Sequence, residues 1–502
     1  MGGGHNLSKK TSGGFAWMLA QTVGSKFVGF AAQIFLAHLL APKDFGVVAI
    51  AYMLLAIPSM LRQSGLPVIL VQKGPLLERW ANAAFWLDLT FGVATMLAMA
   101  VVAPLAATWY HSRELGGVVL VIASSGALNS LLCVPQAILT RDLRFRELAA
   151  LGVGYNFLAA GLSVCLAFLG AGAYSFVIPL PICLALRLAA AFALTRPALR
   201  WKLQLRRWPG LLPDTARMLT AGVAATAAGQ LDFLSLSIFV SKPMVGQYFL
   251  ANNLSSQMLQ LLALNLGSVL FPVLTKLTGE THRQLGAFLR ACRALALIGV
   301  PFCLAEALLA GPAVRVVYGT RWTTAGMLLS LLACSAAINL VASSTVSLML
   351  AQGRYQLNMV WSFANALVFG AAVFAGACWF GALGVAVGGL VTAALVAPLR
   401  LWQTVAASGG RWRDVARVYL PPILLSATAL LPAAAALAVM GRSVAECWVE
   451  MVIAGITAPP IYLVLACRFC PTDVAELASH AKPVEAMLRR LRLLPADAAG
   501  TK

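Results

Sequence analysis

The sequence predicts an all-α polytopic membrane protein: fourteen transmembrane helices, in two six-helix lobes related by a parallel pseudo-two-fold repeat, with two further helices at the C-terminus. Three observations carry this expectation. Hydrophobic residues make up 60% of the 502 positions and charged residues only 11%, with mean hydropathy +0.84, where a soluble protein has roughly 25% charged. Apolar runs recur along nearly the whole chain, each long enough to cross about 30 Å of hydrocarbon at 1.5 Å per residue. The basic residues also alternate in density from one loop to the next.

In chain order the spans are 14–41, 45–71, 81–109, 115–139, 149–170 and 173–195 in the first half. The second half holds 218–241, 244–273, 285–311, 323–350, 357–380 and 382–405, the last two split at Gly381, and 418–440 and 444–467 follow. This divides the chain into an N-lobe (1–195), a basic linker (196–217), a C-lobe (218–405), a final helix pair (406–467) and a tail (468–502). With the N-terminus in the cytoplasm, 28 of the 37 Lys and Arg fall on the inner side and six on the outer side, and Lys26, Arg62 and Arg187 lie within spans. That asymmetry follows the positive-inside rule. It puts both termini in the cytoplasm and reads the net charge of +20 as topology and contact with anionic headgroups, not nucleic-acid binding. The first apolar segment is too long for the core of a cleavable signal peptide and is expected to stay as a membrane helix.

The linker, "RPALRWKLQLRRWPGLLPDTAR" from Arg196 to Arg217, is broken by three prolines and interleaves Trp and Leu with bases, which suits a segment lying on headgroups. Nine of the ten cysteines lie in spans or at the inner face, and Cys447 near the outer surface is expected to have no disulfide partner. The lone pair Cys467 and Cys470 falls short of a zinc site.

The halves echo each other. "ASSGALNSLLCVPQAILTRDLRF" from Ala123 aligns without gaps on "ACSAAINLVASSTVSLMLAQGRY" from Ala333, with Ser125/Ser335, Asn129/Asn339 and Arg144/Arg354 among the identical pairs. "PKDFGVVAIA" at Pro42 also aligns with "KPMVGQYFLA" at Lys242 on Gly46 and Gly246. Copies six helices apart run in the same direction across the membrane, and such parallel repeats often enclose a central site.

Polar residues inside spans mark cavities or helix contacts, because facing lipid is costly for them. Thr22, Lys26, Gly29 and Gln33 share one helical face. Tyr52, Ser59, Arg62 and Gln63 lie on or beside one face below a kink expected at Pro58. Spans seven and eight carry Gln230, Asp232, Asn253, Gln257 and Gln260 among many others. Spans three to six are plainer apart from Asp88 and Arg187. The polar excess thus falls on equivalent helices of both halves, which fits a shared cavity lined by Lys26, Gln33, Tyr52, Arg62, Gln230, Asn253, Gln257 and Gln260. Polar helix–helix contacts are the competing account. Lys26, close to the middle of its span, is either a cavity cation or a lysine neutralised by Asp88 or Asp232 or deprotonated by burial. Asp232 and Asp88 are also candidates for carrying a coupling proton or Na+. Glu306 and Glu450, near outer ends, are expected to be solvated.

Enzyme signatures are missing: the sequence has no Gly-x-x-x-x-Gly-Lys-Ser/Thr phosphate loop, no His-Glu-x-x-His motif and no Asp-x-Asp pair. No cofactor is called for. A carrier is the simpler reading.

The stretch "FLAHLLAPKDFGVVAIAYMLLAIPSMLRQSGLPVILVQK" from Phe35 to Lys73 resembles the first hairpin of polysaccharide-type flippases in the multidrug/oligosaccharidyl-lipid/polysaccharide (MOP) superfamily. "LTRDLRFREL" from Leu139 resembles their fourth-helix exit. "QLDFLSLSIFVSKPMVGQYFLANNL" and "LFPVLTKL" resemble the start of their second half, with Asp232, Gly246, Tyr248, Ala251 and Pro272 at matching positions. The likeness covers residues 10–410. Phe233 stands where a base is usual and Ser237 where a glycine is. The resemblance implies an inner-membrane, alternating-access carrier of undecaprenyl-diphosphate-linked oligosaccharide, moving it from the cytoplasmic to the periplasmic leaflet through a cationic cavity. It further implies partners among polysaccharide polymerase and chain-length or export machinery. A drug/cation antiporter of the same superfamily and a membrane-bound polysaccharide polymerase or ligase are the alternatives. The first would favour an acidic cavity, and the second needs a large periplasmic loop.

Overall fold

The computed structural model describes residues 24–56, 58–59, 66–72, 76–142, 144–197, 204–213, 215, 226, 229–259, 270, 273–275, 277, 279–439 and 443–479. Its chain divides into two compact units, Met1–Gly246 and Gln247–Lys502. Among the described residues there is no strand. Among the described residues eight helices are long and apolar enough to cross a membrane, and the pair Arg113–Ser130 and Cys133–Arg141, bent by 45°, passes the same test when joined.

In the first unit, residues 24–39 are helical and turn at Leu40 and Ala41 into the helix Pro42–Ala56. The turn is fixed by local chemistry. Pro42 opens the helix, where its missing N–H costs nothing, and the Asp44 carboxylate accepts the Ala41 amide at 2.9 Å. Pro58 and Ser59 are in 3-10 conformation, and the Thr95 hydroxyl donates to the Pro58 carbonyl at 3.1 Å; the residues on either side of them, on which the kink expected at Pro58 depends, lie outside the described residues. Leu77–Trp109 is the longest helix of this unit. A turn through His111 (φ 46°), capped by the Ser112 hydroxyl, reverses the chain into Arg113–Ser130. Phe145–Phe168 follows, and Tyr174–Val177 continues as Pro179–Thr195 to make one 22-residue span. Leu66, Leu70, Leu77, Phe85 and Val134 form a buried core.

Part of the linker joins that core. Residues 205–210 form a short 3-10 helix, the Arg207 guanidinium donates to the Arg79 carbonyl, and Leu211 is fully buried with the cluster. Trp208 packs against it from the edge. This stretch is therefore docked by hydrophobic burial, which a reading of its charges alone does not give.

In the second unit, Thr281–Tyr318 packs beside Thr323–Ser343 and its continuation Thr345–Ala351. The helix Tyr355–Ala406 contains one non-helical residue, Gly381 at φ 59° and ψ −137°. There the chain folds back on itself. Arg354 donates to the Ala407 carbonyl and Arg400 to Asn358, both at 2.8 Å. A Cβ added at Gly376 would lie 2.2 Å from the Gly384 carbonyl oxygen. The segment thus crosses twice, and the split expected at Gly381 is found. Only glycine readily takes that left-handed conformation. Trp412–Val439 and Val444–Phe469 complete the unit, the latter opened by a Ser443–Glu446 capping box. The Tyr462 hydroxyl bonds the Leu297 carbonyl at 2.7 Å, and Arg293 pairs with Asp473 at 3.2 Å.

The copies of the sequence echo end alike. Arg144 and Arg354 each stand one residue before a helix, at φ −82°, ψ 52° and φ −85°, ψ 53°. Each guanidinium donates to a carbonyl at the far end of a later helix, Leu194 in Pro179–Thr195 and Ala407 after Tyr355–Ala406.

Large apolar side chains are exposed along the long helices, Leu367 at 76% among them, and Trp109 and Trp379 stand out at helix ends at 78%. On a soluble protein such a surface would aggregate; here it is a lipid-facing belt with aromatic residues towards its borders. Two expectations fail on burial. Glu450 is buried, not solvated, against the helix end that carries Arg315, and Cys447 beside it is buried too. Glu306 is half-buried, with one carboxylate oxygen enclosed and unpartnered among the described residues.

Candidate functional site

The residues expected to line a cavity fall on the least described helices. Arg62 and Gln260 lie outside the described residues. Lys26 and Gln33 are half-buried on the 24–39 helix, while Phe27 points outward at 74% exposure. Their helix is tied to Phe145–Phe168 by the Asn156 amide, which donates to the Ser25 hydroxyl at 2.8 Å. Gln230 is half-buried at the start of Leu231–Phe239. Asp232 is buried in the first turn of that helix, where one carboxylate oxygen accepts the Phe233 amide at 2.8 Å, as suits a negative charge at a helix N-terminus. Asn253 and Gln257 are half-buried on Lys242–Leu259. Asp88 is buried within Leu77–Trp109.

What the structure brings together is a pocket of about 320 Å³ inside the first unit, where polar side chains stand among apolar ones such as Leu55, Ile122 and Leu184. Tyr52 and Ser59 from the second span meet Asn129, Tyr155 and Arg187 from the fourth, fifth and sixth. Of the listed cavity candidates, Tyr52 is the one this pocket contains. Arg187 stands on Pro179–Thr195, about 12 Å from its C-terminal end at 1.5 Å per residue. Its guanidinium carbon lies 5.6 Å from the Tyr155 ring centre, within cation–π range. Its Nε is enclosed and unpartnered among the described residues. A cation held this way, with hydroxyl and amide groups around it, is a site for an anionic or heavily hydroxylated ligand. Sequence reading noted Arg187 as an exception in a plain span but gave it no role. A lone arginine near the middle of an apolar span was the available signal.

A cation-bearing pocket among helices whose outer faces are apolar suits a helical membrane carrier. The fold agrees. The chain matches the solved structure of the lipid II flippase MurJ in its inward closed conformation with a TM-score of 0.72 at 13% identity, over 91% of this chain and 98% of that one. It matches an inward-facing multidrug resistance MATE family transporter of the MOP superfamily at 0.59 and 14%, over 77% and 95%. A family model described as polysaccharide biosynthesis protein matches residues 35–327, more than half of the chain, so the chain belongs to that family. Among its curated relatives is the succinoglycan biosynthesis transport protein ExoT of Rhizobium meliloti (strain 1021), 24% identical over 74% of this chain and 75% of that protein. Another is the lipopolysaccharide biosynthesis protein WzxC of Escherichia coli (strain K12), 20% identical over 77% and 79%. The chain is thus a multi-pass helical membrane protein of the polysaccharide biosynthesis protein family, with a fold shared by the MurJ flippase and the MATE transporter.

Proposed function

We propose that the protein is a flippase for undecaprenyl-diphosphate-linked oligosaccharide repeat units, moving them from the cytoplasmic to the periplasmic leaflet of the bacterial inner membrane for surface polysaccharide assembly. The observation that carries this is the family match over 35–327, with relatives named for succinoglycan transport and lipopolysaccharide biosynthesis. In this reading fourteen helices form two six-helix lobes and a final pair, with both termini in the cytoplasm. The substrate passes by alternating access through a cavity made cationic by Lys26 and Arg62, with Gln33, Tyr52, Gln230, Asn253, Gln257 and Gln260 offering hydrogen bonds to sugar hydroxyls. Asp232 and Asp88 are the candidates for coupling to H+ or Na+. A polysaccharide polymerase and chain-length or export machinery are the partners that would consume the product.

The chemistry suits the task. A diphosphate cannot enter hydrocarbon unpaired, and fixed cations in a low-dielectric pathway attract it strongly. Deletion of the gene should stop surface polysaccharide and leave the complete lipid-linked repeat unit on the cytoplasmic leaflet, shielded from periplasmic reagents. Finding that unit already on the periplasmic leaflet would transfer the role to a polymerase or ligase. Ethidium efflux by the purified protein in vesicles would support the antiporter reading instead.

A further inference from the structure

Arg187 lines more than this pocket. A second cavity of about 380 Å³ runs between Phe145–Phe168 and Pro179–Thr195 and shares Tyr155 and Arg187 with the first. Its lining is more apolar still. Leu151, Leu158, Leu186 and Leu194 line it, and Leu158 and Leu186 are 54% and 55% exposed, so the groove opens on the outer, lipid-facing side of the helix pair. Glu147, the acidic residue on its lining, is held by Arg144 at the groove's end. Taken as continuous across the shared Tyr155 and Arg187, the two cavities make one amphiphilic trough. Hydroxyls and an amide lie at one end, a guanidinium and an aromatic ring stand at the junction, and an apolar channel open to the bilayer continues beyond.

We infer that this trough is a binding site for a polyprenyl diphosphate, with the diphosphate at Arg187, the chain along the Leu158–Leu186 groove and the attached sugar against Tyr52, Ser59 and Asn129. The choice of ligand rests on the flippase reading; the shape and charge order of the site do not. Arg187 has the properties such a role needs. It is near the depth where its span is most apolar, its Nε lacks a partner among the described residues, and a guanidinium offers a planar fork that fits two phosphate oxygens at once. Among the described residues no carboxylate forms an ion pair with it. The cation–π contact with Tyr155 orients the group without neutralising it. A lipid ligand is favoured over a free phosphate because the more apolar groove adjoins the first pocket at Arg187, and only an amphiphile fills both.

The test uses the full-length purified protein in nanodiscs of phosphatidylcholine. Binding of undecaprenyl diphosphate, of a short-chain analogue, geranyl diphosphate, and of uncharged undecaprenol is measured for the wild type, Arg187→Gln, Arg187→Lys and Leu158→Trp. Arg187→Gln should weaken both diphosphates about tenfold or more, the scale of one lost charged contact, and leave undecaprenol unchanged. Arg187→Lys should recover part of the loss. Leu158→Trp faces lipid and so tolerates substitution; it should weaken the long-chain diphosphate and not geranyl diphosphate. Unchanged diphosphate binding by Arg187→Gln and Leu158→Trp, beside clear wild-type binding, overturns this site and leaves the flippase reading standing. Displacement of undecaprenyl diphosphate by phosphatidylglycerol at equal concentration makes the trough an ordinary boundary-lipid site and also overturns the inference. No wild-type binding of either diphosphate removes the ligand, and with the deletion experiment above decides against the flippase reading itself.

Discussion

Gly46 and Gly246, the residues on which the shorter sequence echo aligns, meet within the first unit. A Cβ added at Gly46 would lie 1.9 Å from the Lys242 carbonyl oxygen, and one added at Gly246 would lie 1.9 Å from the Pro42 carbonyl oxygen. The two clashes are mirror images: each carbonyl belongs to the residue four before the opposing glycine. Since a carbon–oxygen contact is normally about 3.3–3.6 Å, either alanine forces the backbones apart by about 1.5 Å, and the obstacle is main chain that has no alternative rotamer. Overpacking of this kind costs about 1–3 kcal/mol. Because one separation relieves both clashes, the second alanine should cost little once the first is present. Gly46→Ala, Gly246→Ala and the double variant are therefore expected to lose similar amounts of stability, well short of additive. The assay is the fraction of each detergent-solubilised variant that stays monodisperse after heating, with the wild type alongside. Additive losses in the double variant, or no loss in either single one, would refute the close packing on which the reasoning stands.

Lys26→Ala should lower polysaccharide export by upwards of about tenfold, with Lys26→Glu worse and Lys26→Arg intermediate, because a desolvated charge contact is lost or reversed; export is normalised to folded protein. Full rescue by removing Asp88 or Asp232 as well would instead make Lys26 one member of a buried pair, since such pairs tolerate joint removal. In the linker, Leu211→Ala should cost about 2–5 kcal/mol because the side chain is fully buried, whereas Arg206→Ala should leave both abundance and export unchanged; membrane abundance under mild heating reads both. Burial and the nearby Asp473 carboxylate push the Cys470 thiol above its usual range, with Arg293 opposing. Its alkylation by an impermeant maleimide should therefore lag a free thiol near neutrality and rise as pH increases and thiolate forms. It should occur in inside-out vesicles and not in intact cells, and the reverse sidedness would overturn the topology.

Much of this molecule was legible because a bilayer imposes period and length on a sequence more strictly than water does. The helices Leu77–Trp109, Phe145–Phe168, Thr281–Tyr318 and Val444–Phe469 overlap spans marked from apolar runs alone. The Gly381 break was visible because a glycine interrupts an apolar run too long for one crossing. The reading failed where burial came from neighbours and not from the segment's own composition. Glu450 looked solvated because it sits near a helix end, and Leu211 looked interfacial because bases surround it, yet both are enclosed by elements distant in sequence. No periodicity within a segment contains that information.

The same reasoning explains why Arg187 and not Tyr52 is the instructive residue of the pocket. Tyr52 was selected with its neighbours on one stripe of one helix, and a stripe is a property of local sequence. The pocket instead draws Tyr52, Thr95, Asn129, Tyr155 and Arg187 each from a different helix, and a stripe on one helix cannot show which residues of other helices will face it. Polarity is then concentrated by packing: each helix stays hydrophobic enough to insert, yet its polar residues surround an arginine when brought together. For Arg187 the cost of insertion is large, and the cation–π contact with Tyr155 offsets only part of it. On the proposed lipid site, a cation retained at that depth with an unpartnered nitrogen among the described residues meets a ligand that brings the opposite charge, and the apolar groove lined by the same residue suits a lipid chain.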